Sequence, residues 1–207
     1  MKMNLPNKLT ILRIILSIII IFILLFPFYN LNFEFPKFIV DKKLLVDSKY
    51  FIAGILFIIA SITDFLDGYI ARKYKLITDE GKALDAIADK VLVNSVVIIL
   101  SIQGFIYPII PIILIVRDEI VNSLKMLAAG TGKQVAAITT GKIKTACLMV
   151  GVTLTMFYNL PFELFGIYLS NALLIIAAVF SIISGIQYFI KLKKIIFSKN
   201  DEIVDFE

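Results

Sequence analysis

The chain has 207 residues, of which 59% are hydrophobic and only 18% are charged. A soluble domain carries roughly 45 to 50% apolar and about 25% charged residues, so this composition excludes a water-soluble globule and a disordered chain. A single cysteine excludes a disulfide scaffold. The net charge of +5 suits anionic lipid or phosphorylated substrates. It does not suggest nucleic acid, because the basic residues flank apolar stretches and form no stripe with interleaved aromatics.

Six stretches have about the 20 apolar residues needed to cross a hydrocarbon core of roughly 30 Å. They are the ranges 9–29, 50–72, 82–104, 108–129, 139–158 and 163–190. The pattern predicts an all-α integral membrane protein with six transmembrane helices. We expect a short N-terminal interfacial segment over 1–8, the six-helix transmembrane domain over 9–190 and a cytoplasmic tail over 191–207.

The basic residues predict the orientation of these spans. Most of them lie at the amino end, in the second-to-third and fourth-to-fifth loops, and in the tail. The opposite side has only Lys37, Lys42, Lys43 and Lys49. Because cytoplasmic flanks are enriched in lysine and arginine, we expect a multi-pass plasma (inner) membrane protein with both termini in the cytoplasm. Four further basic residues lie inside the predicted spans, where charge is costly and usually functional: Arg13, Lys90, Arg117 and Lys125.

Four aspartates are the most informative residues of the chain. Asp64 and Asp67 close the second predicted span, and Asp85 and Asp89 lie in the third. Helical residues three or four apart share a face, and a short turn joins these two helices antiparallel. We therefore expect all four carboxylates to meet about two turns below the cytoplasmic surface, where the active site would face the cytoplasm.

Such a group of carboxylates must be neutralised. At an effective dielectric of about 20, two carboxylates about 5 Å apart repel by roughly 3 kcal/mol. Hard oxygen ligands without histidine or cysteine favour Mg²⁺, Mn²⁺ or Ca²⁺, and two divalent ions would balance four charges. Protons could also neutralise them, so a proton-coupled transporter remains an alternative. The small residues Gly68 and Ala71 leave room for something to approach Asp67, and Arg72 is placed to contact a phosphate.

The pattern D-x2-D-G-x2-A-R-x8-G-x3-D-x3-D resembles the signature of the CDP-alcohol phosphotransferases. Its fixed positions are Asp64, Asp67, Gly68, Ala71, Arg72, Gly81, Asp85 and Asp89. The resemblance implies a six-helix, homodimeric membrane enzyme that transfers a phosphatidyl or similar group from a CDP-linked donor to an alcohol and releases CMP.

The same resemblance implies roles for these residues. Asp64, Asp67 and Asp85 would bind one Mg²⁺ or Mn²⁺ ion, and Asp64, Asp85 and Asp89 a second in the same subunit. Asp89 would also be the catalytic base. The residues implied to contact CDP-diacylglycerol are Asp64, Asp67, Gly68, Ala71, Arg72 and Asp85.

Three flanking motifs are similar to members that join CDP-diacylglycerol to glycerol 3-phosphate, giving phosphatidylglycerol phosphate. They are L-P-N-K-L-T-I-L-R over 5–13, the pair Arg117-Asp118, and G-K-I-K-T over 141–145. Two departures are Asp118, where glutamate is expected, and Lys125, where arginine is usual. Inositol phosphate, serine or phosphatidylglycerol therefore remain alternative acceptors.

We expect the acceptor phosphate to bind Arg117, Lys142 and Lys144, with Lys133 and Lys125 behind them. The two lysines of the G-K-I-K-T motif could instead be orientation signals only. Asn7 and Arg13 fit structural anchoring and substrate contact equally well.

Overall fold

The computed structural model describes residues 4–41, 44–74, 78–130 and 138–197; the side chains of Arg72, Asp79, Glu80, Lys82 and residues 194–197 are outside this description. Six α-helices fill most of the described ranges. They are α1 (Leu5–Leu25), α2 (Ser48–Lys73), α3 (Asp79–Ile102), α4 (Ile109–Gly130), α5 (Thr139–Met156) and α6 (Leu169–Phe197). Short 3-10 helices at Phe28–Leu31 and Phe162–Phe165 follow α1 and precede α6.

Three segments of the described chain are long and apolar enough to cross a membrane: Leu5–Leu25, Ser48–Ala71 and Leu169–Lys193. They lie in α1, α2 and α6 and identify a transmembrane protein. The helices between them carry more charge, such as Asp85 and Asp89 in α3 and Arg117 and Asp118 in α4. Such helices can lie in a membrane when their charged side chains face the protein interior.

The six helices pack as two groups of three. In the first group α1 packs against α2 and α3, and in the second α6 packs against α4 and α5. Contacts of α2 with α5, and of α3 with α4 and α5, join the groups around buried residues that include Phe57, Leu100 and Met156. Glycine allows close approach here, because a Cβ added at Gly151 would lie 3.0 Å from Leu174 Cγ.

The prediction of an all-α protein is incomplete, because a β-hairpin lies between α1 and α2. Its strands are β1 (Lys37–Val40) and β2 (Leu44–Asp47), paired antiparallel with Ile39 opposite Leu45. The chain turns at Asp41, whose φ is 51°. Asp47 then caps α2 by accepting a hydrogen bond from the Lys49 backbone N–H at 3.0 Å. Short strands of this kind are hard to recognise in a sequence that is apolar throughout.

Both boundaries of the first and last helices also differ from the prediction, because these helices end at Leu25 and Phe197 instead of 29 and 190. The first helix begins at Leu5, so residues 5–8 form no separate segment; residues 1–3 lie outside the described chain. Pro6 does not prevent this start, because the first N–H groups of a helix lack intrahelical partners anyway. The last helix begins at Leu169, later than predicted, because the residues before it form a 3-10 turn.

The amino ends of α1 and α3 meet at the end of the bundle that carries the aspartates. Thr78 caps α3 by accepting a hydrogen bond from the Gly81 backbone N–H at 3.0 Å. A Cβ at Gly81 would lie only 2.7 Å from Asn7 Oδ1 and 2.9 Å from Thr78 Oγ1. This fixed glycine of the motif is therefore explained by the close approach of α1, which brings the Asn7 to Arg13 segment over the aspartates.

Candidate active site

Three of the four motif aspartates form one cluster. Asp64 and Asp67 lie near the carboxyl end of α2, and Asp85 lies in the second turn of α3. Each offers a carboxylate oxygen, and these oxygens are all within 4.8 Å of one another. The Asp67 side chain is 6% exposed, whereas those of Asp64 and Asp85 are 44% and 53% exposed. The cluster thus has a buried floor and an open rim.

Arg13 of α1 lies at the centre of this cluster. One terminal nitrogen, Nη1, is 2.6 Å from Asp64 Oδ1 and 3.1 Å from Asp85 Oδ1. The other, Nη2, is 2.5 Å from Asp67 Oδ2. The arginine is fully buried, and Thr10, one turn earlier on α1, lies 3.2 Å from the same oxygen of Asp67. One guanidinium therefore contacts all three carboxylates.

The residues of the cluster fit a divalent cation. The three ligands are carboxylates, the class that Mg²⁺, Mn²⁺ and Ca²⁺ prefer, and they converge from two helices. Their three negative charges exceed the single charge of Arg13, so the cluster can still attract a cation. The partly exposed rim formed by Asp64 and Asp85 leaves a side from which a phosphorylated ligand can approach.

Asp89 is not part of that three-carboxylate cluster as the structure describes it. It lies one helical turn beyond Asp85 on α3 and lines a cavity of about 50 Å³ between α3, α4 and α5. Asp118 and Lys144 line the same cavity. Three of the four acids expected to meet thus form the cluster, and the fourth, Asp89, lines the neighbouring cavity.

An ion-pair network forms the far wall of this cavity. Lys144 Nζ lies 2.7 Å and 2.6 Å from the two carboxylate oxygens of Asp118. Arg117 Nη1 donates to Asp118 Oδ1 at 2.8 Å, and its other nitrogens donate to Ser181 O and Ser184 Oγ of α6. A Cβ at Gly185 would lie 3.1 Å from Arg117 Cγ, so this glycine lets the arginine cross α6. Arg117 is thus held against α6, whereas Lys144 lines the cavity together with Lys90 of α3.

The other predicted site residues lie around this centre or outside the description. Lys142 is exposed near the start of α5, and Lys125 lies over the Tyr188 ring at 4.4 Å. Gly68 and Ala71 are half-buried on α2 beyond the cluster. The Arg72 side chain and the whole of Lys133 are outside the described part of the chain.

Sequence reasoning left the position of Arg13 undecided and assigned no role to Thr10. The position of Arg13 could have been inferred from one feature of the sequence. A charged residue within an apolar span needs a partner, and the acids at the same membrane depth are the candidates. Depth follows from counting turns along antiparallel helices, which places the start of α1 beside the end of α2.

Comparison with known proteins agrees with the motif. The CDP-alcohol phosphatidyltransferase family profile matches residues 3–183. The CDP-diacylglycerol--glycerol-3-phosphate 3-phosphatidyltransferase of Bacillus subtilis is 42% identical over 189 residues, which are 91% of this chain and 94% of that protein. Proteins of the same name from Haemophilus influenzae and Mycoplasma genitalium are 38% and 35% identical, covering 91% and 92% of this chain and 92% and 84% of their own lengths. The chain belongs to the CDP-alcohol phosphatidyltransferase family.

Proposed function

We propose that this enzyme transfers the phosphatidyl group of CDP-diacylglycerol to glycerol 3-phosphate, giving phosphatidylglycerol phosphate and CMP. The observation that carries the proposal is the position of Asp89, next to a carboxylate cluster on one side and a lysine-lined cavity on the other. The names of the relatives support the choice of donor and acceptor.

The carboxylates would hold two divalent ions, Mg²⁺ or Mn²⁺. Asp64, Asp67 and Asp85 would bind one, and Asp64, Asp85 and Asp89 the other. When bound, these ions would polarise the donor pyrophosphate and balance the charge of the departing CMP. The donor would lie over Gly68, Ala71 and Arg72, next to the open rim of the cluster. Its acyl chains would remain in lipid.

Asp89 is our candidate for the general base. Its carboxylate lines the cavity in which we place the acceptor, so it is positioned to take the proton of the attacking hydroxyl. Lys144 would bind the acceptor phosphate from the opposite wall. Lys142 and Lys133 would add positive charge for the acceptor phosphate, while Arg117 would fix the position of Asp118 and Lys144.

We also propose that all six helices cross the plasma membrane, with both termini and the active site on the cytoplasmic side. The charged residues of α3, α4 and α5 support this arrangement, because many of them pair inside the bundle, as Lys144 does with Asp118. The distribution of lysines supports the orientation. A homodimer, as the sequence resemblance implies, is part of the same proposal.

The direct test is CMP release by the purified full-length protein in mixed micelles. We expect release to require CDP-diacylglycerol, glycerol 3-phosphate and a divalent ion together. Asp89→Asn should lower kcat by at least about 10²- to 10⁴-fold, the usual contribution of a general base, because it also removes a ligand of the second ion. Asp41→Asn, in the hairpin at the opposite end of the bundle, is the matched control and should retain full activity.

Other outcomes would redirect the proposal. Full activity of Asp89→Asn would remove that residue as the base. If glycerol 3-phosphate is the poorest of a panel that includes inositol phosphate, serine and phosphatidylglycerol, the assigned acceptor is wrong. Solute flux into sealed vesicles without CMP release would favour the proton-coupled transporter.

A further inference from the structure

Arg13 partly balances the charge of the carboxylate cluster. Its two terminal nitrogens contact Asp64, Asp67 and Asp85 at 2.5 to 3.1 Å, and its side chain is 0% exposed. An arginine contacts a phosphate or carboxylate most strongly through such charge-assisted hydrogen bonds. The guanidinium is therefore an internal cation that contacts the same three carboxylates as the proposed metal site.

Among the described residues, the side chains that hydrogen-bond or pair with the guanidinium are the three aspartates of the cluster. Its remaining nitrogen, Nε, is buried with no hydrogen-bond partner among the described residues. The hydrogen bonds and ion pairs of its terminal nitrogens go to the three aspartates. Any ligand that takes over those carboxylate oxygens therefore removes the contacts that Arg13 makes there.

A divalent ion would compete with this arrangement in two ways. It needs carboxylate oxygens at about 2.0 to 2.6 Å, and one oxygen of each aspartate is already paired with the guanidinium. It would also place two positive charges next to a third, and like charges repel strongly where water is scarce. A metal ion and the guanidinium would thus compete for Asp64, Asp67 and Asp85.

We propose that Arg13 is a built-in competitor of the divalent ion, which holds the carboxylates together when the metal is absent and weakens metal binding. This inference rests on the metal site of the proposed function. Its consequence is that the metal binds weakly alone and more tightly with the donor, because the donor pyrophosphate gives the displaced guanidinium a new anionic partner.

The test is Mn²⁺ binding to the full-length protein in micelles, measured from the electron paramagnetic resonance signal of free Mn²⁺. Coupling between two ligands of one protein usually changes affinity by about 5- to 150-fold. We expect Arg13→Gln to tighten Mn²⁺ binding within that range. In a chelator the same variant should melt at a lower temperature than wild type, and Mn²⁺ should raise its melting temperature by more.

Two further variants separate this role from general effects. Arg13→Lys keeps the positive charge, but an ammonium group cannot contact three carboxylates as the planar guanidinium does. The Mn²⁺ affinity of this variant should therefore lie between those of wild type and Arg13→Gln. It also serves as the reporter if the glutamine variant does not fold. Arg117→Gln is the matched control, because this arginine is also mostly buried but contacts Asp118 and α6. Its Mn²⁺ affinity should stay within about twofold of wild type.

Each contrary result has a separate meaning. Equal Mn²⁺ affinity of wild type and both Arg13 variants, or weaker binding in the variants, would overturn the competitor role and leave the metal site intact. Tightening of the same size in Arg117→Gln would also overturn it, because a general change of charge would then suffice. Absence of saturable Mn²⁺ binding in every variant would refute the metal site of the proposed function itself.

Discussion

Replacing the two partners of the Asp118–Lys144 pair should have unequal effects on stability. Asp118 is 27% exposed at its side chain and also accepts a hydrogen bond from Arg117 at 2.8 Å. Lys144 is only 7% exposed, and the partner that the structure gives it is the carboxylate of Asp118, at 2.6 Å. Loss of the lysine leaves a carboxylate with water and Arg117, whereas loss of the carboxylate leaves a buried ammonium group without its counter-charge.

These environments set the expected magnitudes. Removing one partner of a buried ion pair costs about 3–5 kcal/mol when the other charge is left uncompensated, so Asp118→Asn should lose free energy of unfolding in that range. Lys144→Met removes charge-assisted hydrogen bonds but strands no buried charge. Its cost should be about 1.5–3 kcal/mol. The double variant has neither charge and should be more stable than Asp118→Asn alone.

The measurement is reversible unfolding of the four proteins in mixed micelles, followed by helical circular dichroism, with kinetics on the same samples. Lys144→Met should raise KM for glycerol 3-phosphate more than KM for CDP-diacylglycerol, because we place the lysine at the acceptor. The reasoning fails if Lys144→Met is as destabilising as Asp118→Asn, or if the two losses simply add in the double variant.

Two other predictions concern packing and orientation. Gly81→Ala should destabilise the protein by about 0.5–2 kcal/mol in the same unfolding measurement, the cost of a lost helix cap, since its Cβ would lie 2.9 Å from Thr78 Oγ1 and displace the hydroxyl that caps α3. Gly130→Ala, where no atom lies within 4 Å, should not, and equal losses would refute the packing argument. In a background with Cys147→Ser, we expect Asp41→Cys to react with an impermeant maleimide in intact cells. Tyr74→Cys should react only after permeabilisation, and the reverse pattern would invert the proposed orientation.

The helices could be predicted from sequence because the signal is long and strong. A run such as Leu5–Leu25 is mostly apolar over 21 residues, and the third helix is expected from residue 82, three residues after its start at Asp79. The β1–β2 hairpin could not, because its strands are four residues each and are as apolar as the spans around them. The start of α1 was misplaced because Pro6 suggested a break where it only occupies the first turn.

The site shows the same division between local and long-range information. The spacing of Asp64 and Asp67 places them on one face of α2, and the short connection to α3 brings Asp85 to the same end of the bundle, where α1 packs against both helices. The contact of Arg13 with them depends on how α1 leans across α2 and α3, over a sequence separation of 72 residues to Asp85. The direction of the Arg117 side chain depends similarly on Gly185 of α6. The residues adjacent in sequence to Arg13 and Arg117 do not indicate either contact.

The charges of the cluster explain why an arginine lies where a metal is expected. A carboxylate as buried as Asp67, at 6% exposure, cannot remain ionised beside two others without a cation, and a membrane protein must fold before it has met its substrate. An arginine supplied by the chain meets that need at once. The arrangement differs from that around a metal ion, because the planar guanidinium distributes one charge over three carboxylates. In the competitor role that we propose for Arg13, the cluster would be assembled before an ion arrives, and ion binding would exchange one cation for another.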